Sequence, residues 1–74
     1  MMTSIMAELT ASMWKINVCL GDSVQVNDEL AILESMKMEI AVVTLTAGVV
    51  HSINTAEGAQ VTENQVLFII RSDD

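Results

Sequence analysis

Apolar and polar positions alternate along most of this chain with a period of two, the spacing of a strand with one buried face. Thr3-Ser4-Ile5-Met6-Ala7 opens with a short extended candidate. Ala7 to Ala11 has helical propensity but is too short to stand as a helix alone. From Met13 onward Trp14, Ile16, Val18 and Leu20 fall on one face, and Lys15, Asn17 and Cys19 on the other. Gly21-Asp22 reads as a turn, Val24 and Val26 follow, and Asn27-Asp28 marks a second turn. Leu30 to Leu33 and Ile40 to Val43 are strands on either side of a polar centre. Ala47-Gly48 bends into a strand from Val49 to Ile53, and Glu57-Gly58 is a turn. Val61 is an isolated apolar contact, Asn64 a further turn, and Val66 to Ile70 a buried final strand. Residues 71–74 form a polar end, expected to fray.

A shift of 37 residues superimposes one half of this pattern on the other: Gly21 falls on Gly58, Val24 on Val61, Asn27 on Asn64 and Leu30 on Leu67. Ile16, Asn17 and Ile32 fall on Ile53, Asn54 and Ile69. The turn pairs carry the most weight, because backbone geometry restricts residue choice there. A single domain over residues 1–74 follows, with halves of about 3–37 and 40–74. Each half supplies about four short strands. The expected architecture is all-β: two antiparallel sheets closing on one core about a pseudo-twofold axis. The shift carries Lys37 onto Asp74, so a lysine hairpin should lie opposite both chain ends.

Composition agrees. Trp14 and Phe68 are the only aromatics among 51% hydrophobic residues, leaving Val, Ile, Leu and Thr to fill a strand-built core. Trp14 reads as a core anchor. The formal charge of -7 argues against a nucleic-acid backbone or an anionic membrane as partner. The one cysteine, Cys19, excludes an internal disulfide framework and a Cys-based zinc site, and alternation places it outward. No metal-ligand spacing and no Ser/His/Asp or Cys/His arrangement is legible, so no catalytic residue is assigned. His51, the repeat partner of Trp14, reads as a half-buried strand residue. No signal peptide and no run near the ~18 residues of a membrane span is read, so a soluble cytosolic domain is the default.

The polar centre is Glu34-Ser35-Met36-Lys37-Met38-Glu39. Strands on both sides put Lys37 at a hairpin tip, where its amine is the candidate nucleophile. This stretch resembles the attachment motif of biotinyl domains, commonly Ala-Met-Lys-Met or Ser-Met-Lys-Met. Trp14-Lys15-Ile16, Gly21-Asp22, Val24, Gly48-Val49-Val50, Glu57-Gly58 and Val61 match family positions in order. The resemblance runs from about Ser4 to Ile70 and is nearest to small free-standing biotin/lipoyl attachment proteins and biotin carboxyl carrier domains. It implies a flattened β-barrel of two four-stranded sheets, a barrel-sandwich hybrid, with the lysine on a β-turn. It also implies covalent biotin on Lys37, attached by a biotin protein ligase. The arm then shuttles carboxylate from a biotin carboxylase to a carboxyltransferase.

The chain departs from that pattern at Asn27 and Asn64, where glycine is common, at Ala11, and at Ala59, where an Asp acceptor is missing. A solvated lysine amine is mostly protonated at neutral pH, and no cluster in the chain would activate it. Activation must come from outside, which makes the chain a carrier and a substrate rather than a catalyst. Met36 and Met38 are candidate recognition residues, a soft apolar surface at the tip, or else core fillers. Glu34, Ser35 and Glu39 complete the recognition set, the two glutamates reading also as solubilising residues. Two alternatives stand beside biotin: lipoate on the same lysine, and an unmodified scaffold domain. Lipoyl turns typically carry Asp-Lys-Ala, and the two methionines favour biotin.

Overall fold

A computed structural model describes residues 1–72, and all of its regular elements are strands. They are β1 (Met2–Met6), β2 (Ala11–Ile16), β3 (Ser23–Val24), β4 (Glu29–Ser35), β5 (Met38–Val43), β6 (Gly48–Ile53), β7 (Gln60–Val61) and β8 (Val66–Arg71). Two four-stranded antiparallel sheets form, with orders β1-β8-β6-β3 and β5-β4-β2-β7. The first carries both chain ends and is called here the terminal sheet. The second carries Lys37 between β4 and β5 and is called the lysine sheet. Their inner faces meet on Met13, Leu30, Leu33, Val50, Val61, Leu67, Phe68 and Ile70, all essentially without solvent exposure.

The repeat is written in hydrogen bonds as well as in sequence. Asn17 N–H donates to the Leu30 carbonyl, and Asn54 N–H to that of Leu67, both at 2.8 Å. Asn27 N–H donates to Thr44 O and Asn64 N–H to Ala7 O, again at 2.8 Å. Both asparagines hold positive φ, 72° and 70°, and Gly21 and Gly58 both hold 87°. These are the left-handed positions that the turn pairs anticipate. Asp22 Oδ2 accepts from Cys19 N–H at 2.8 Å. At the matching position Ala59 has no side-chain oxygen to offer.

Strict alternation fails at four places, and the failures are themselves repeated. In the β2–β4 register Trp14 is skipped, and in the β6–β8 register His51 is skipped. Leu30 is the extra residue between β4 and β5, and Leu67 the extra residue between β1 and β8. Each is a β-bulge, which leaves one residue unpaired and locally re-aims the side chains. Consecutive buried residues follow, Leu30-Ala31 in β4 and Leu67-Phe68 in β8.

The bulge at Trp14 corrects one expectation. Alternation traced through residue 14 gives it a core role, but Met13 fills the core and Trp14 is 44% exposed. Leu20, placed on the same inner face, is likewise exposed. His51 lies in β6 as expected but is exposed rather than half-buried. Val61 is not isolated, because with Gln60 it pairs to β2. Arg71 and Ser72 are not a frayed end: Arg71 closes β8, and Ser72 is buried with its N–H donating to Met1 O at 2.8 Å. Asp73 and Asp74, also assigned to that end, lie outside the described residues.

Register fixes where the hairpin points. β5 starts at Met38, beside the lysine, and ends at Val43 opposite Glu29. The chain then crosses to Gly48, which packs against the Arg71 carbonyl near the chain ends. Lys37 thus lies at the end of a body 38 Å long and 18 × 17 Å across opposite to Met1 and Ser72.

Candidate attachment site at the lysine hairpin

β4 and β5 are held together by Leu33 opposite Ile40, Glu34 opposite Glu39 and Ser35 opposite Met38. Only Met36 and Lys37 lie beyond that last pair, with φ of 51° and 65°. A two-residue turn with both central φ positive suits the right-handed twist of a hairpin, and Asn-Gly is its usual sequence. Here two ordinary L-residues occupy it, a conformation that costs each of them roughly 1–2 kcal/mol. Local backbone preference therefore does not explain these residues, and the exposed positions of their side chains become the point of interest.

All six motif residues cluster at this end. Met36 is 92% exposed and Met38 63%, so neither is a core filler. Lys37, Glu34 and Glu39 are exposed, and Ser35 is half-buried where β4 ends. Glu34 and Glu39 stand directly across the ladder, an arrangement of like charges that weakens the pairing. The hairpin is built on sound inner packing, with Leu33 and Val42 buried, while its tip carries strained and charged residues. It presents one primary amine, flanked by two flexible thioethers, to anything approaching along the long axis.

Residues away from the tip do not join it. His51 lies on the other sheet, and Cys19 is an exposed free thiol in the loop before Gly21. Trp14 was missed as a surface residue. The adjacent apolar pair Met13-Trp14, like Leu30-Ala31 and Leu67-Phe68, was the available sign of a bulge.

A protein-family model described as "Biotin-requiring enzyme", for biotin/lipoyl domains, matches residues 1–70. The chain belongs to the biotin/lipoyl family. This biotin/lipoyl domain is 39% identical over 65 residues to the biotin/lipoyl attachment protein of Bacillus subtilis (strain 168), covering 88% of this chain and 89% of that one. It is 34% identical over 70 residues to the biotinylated protein TB7.3 homolog of Mycobacterium leprae (strain TN), covering 95% and 99%. Among solved structures, the Kluyveromyces lactis urea carboxylase superposes with a TM-score of 0.90 at 28% identity, covering 96% of the biotin/lipoyl domain. The domain spans 6% of that carboxylase chain but nearly the whole of the two small proteins.

Proposed function

We propose that this protein is a biotin carboxyl carrier whose attachment point is Lys37. The observation that carries the reading is the placement of that lysine, exposed at the apex of a two-residue turn at the end remote from the chain ends. The names of the relatives, a biotin/lipoyl attachment protein, a biotinylated protein and a urea carboxylase, agree with it.

The residues present suit a covalent biotin. An amine at an apex with exposed neighbours is open to an activated acyl donor, and no wall of the fold surrounds the arm once attached. Lys37 Nζ, after losing a proton, attacks the acyl carbon of a biotinyl-adenylate held by a biotin protein ligase. The C–N bond of the amide forms as the acyl–phosphate bond breaks and AMP departs. Met36 and Met38 offer adaptable apolar contact to the enzymes that handle the tip, and Glu34, Ser35 and Glu39 frame it. When bound, biotin supplies the ring that carries carboxylate from a biotin carboxylase to a carboxyltransferase. The fold supplies reach: a tether keeps the cofactor at high local concentration near both sites. The rigid body keeps its attachment point extended, and no catalytic group of its own is invoked. A free, exposed Cys19 suits the reducing cytoplasm in which this reading places the protein.

Co-expression with a biotin protein ligase and intact-mass measurement tests the proposal. The expected result is one biotinyl addition, absent in Lys37→Arg. A chain left unmodified by a competent ligase with biotin supplied would overturn it. Incubation with lipoate and its ligase separates the lipoyl alternative, and no addition under either condition leaves the scaffold reading.

A further inference from the structure

We infer that the outer face of the lysine sheet around Trp14 is the surface by which the ligase grips the unmodified protein. This rests on the reading of Lys37 as the attachment point. The pseudo-twofold supplies the starting observation. Trp14 and His51 occupy equivalent bulges, both exposed, so the fold needs a bulge there but not a tryptophan. The chain's one tryptophan stands outward on the sheet that carries Lys37. Under the same symmetry His51 is placed relative to the chain ends as Trp14 is placed relative to the lysine.

Trp14 does not stand alone. Lys15 Nζ lies 5.5 Å from its ring centroid. Lys15 pairs with Ile32, which pairs with Ala41, so a partly exposed apolar strip crosses three strands. Ile32 faces outward because Ala31 and Leu33 beside it are buried. The next row toward the tip is Ser12, Glu34 and Glu39, in register across the same strands. The strip is therefore continuous with the hairpin, Ile32 lying three residues, about 10 Å, from Ser35.

Reach decides which enzyme must cover it. An unmodified lysine side chain extends only about 6 Å from its Cα, so an enzyme acylating Nζ must bring its own surface against the tip. Enzymes that act on the loaded cofactor meet it at the end of an arm roughly twice as long and can stand off. A standard protein interface covers about 800 Å² per partner, equivalent to a disc of about 16 Å radius. On a body 18 × 17 Å across, a patch of that size takes in the Trp14 row when it runs from Lys37 along the outer face of the lysine sheet. Tryptophan is enriched among residues that dominate such interfaces. The glutamates between Trp14 and the tip, in a chain of charge -7, select a ligase with a basic rim.

The test uses steady-state biotinylation of the full chain by a ligase that modifies it. Trp14→Ala should raise KM for the protein about tenfold with kcat within about twofold, the pattern of lost docking. Trp14→Phe should recover part of the loss, Ile32→Glu should reproduce it, and His51→Ala should leave both constants unchanged. Independently, 5-fluorotryptophan at position 14 should shift its single ¹⁹F resonance when ligase is added without ATP or biotin, a readout that needs no variant to fold. Equal KM across all variants, an unmoved resonance, or a resonance moved only by a biotin carboxylase overturns the assignment while leaving the carrier reading intact. A chain that no ligase acylates overturns both.

Discussion

Gly48 shows at the residue scale how closely the two ends of the repeat are packed. A Cβ built there meets the Arg71 carbonyl oxygen and carbon, which belong to backbone and cannot rotate aside. Gly21 poses the opposite problem: a Cβ there meets nothing, but its φ of 87° disfavours an L-residue. Gly21→Ala should therefore cost about 1 kcal/mol, from backbone strain alone. Gly48→Ala should cost about 2–4 kcal/mol, because β6 and the end of β8 must move apart. Urea denaturation of both variants checks the ranking, with the larger drop in midpoint expected for Gly48→Ala. The positive φ at Asn27, Asn64, Gly21 and Gly58 was legible because few residue types tolerate it. The close approach at Gly48 was not legible: only the pairing of Val49 with Arg71 brings that carbonyl near.

At the scale of elements, the hairpin β4–β5 trades stability for what it displays. Its turn places Met36 and Lys37 where Asn and Gly are the favoured pair. The double substitution Met36→Asn with Lys37→Gly should raise stability by about 1–2 kcal/mol, read as an increased urea midpoint. The same protein should accept no biotin in the intact-mass assay. An unchanged or lowered midpoint would show that the turn is unstrained. The strands themselves were readable from alternation, since a sheet with one wet face needs a period of two. Trp14 was misplaced because period-two counting has no term for an inserted residue. A bulge is a choice made between two strands, and neither strand alone contains it.

The whole molecule behaves as a rod with a handle at one end. Residues 1–2 and 71–72 are clasped at the other: the Met1 ammonium donates to Ser72 O at 2.8 Å, and Met2 pairs with Arg71. A folded domain fused ahead of residue 1 should therefore leave kcat/KM for biotinylation within about twofold of the unfused protein. A drop beyond tenfold would mean that the ligase also touches the terminal end. The opposition of Lys37 and the chain ends followed from a shift of 37 residues, because a repeat that maps the hairpin onto the chain opening leaves few other closed arrangements.

The sequence by itself determined the all-β class, the two matched halves, the left-handed turns and the singular position of Lys37. Each of these depends on local chemistry: side-chain alternation, tolerance of positive φ, and the scarcity of cations. The tertiary structure alone decided which of two adjacent apolar residues enters the core. Met13 does so, opposite Leu33 in the register and in one buried cluster with Leu30 and Val61, while the bulge leaves Trp14 exposed to solvent. That choice is made by packing between strands distant in the chain, and it leaves the tryptophan exposed on the sheet that carries the lysine.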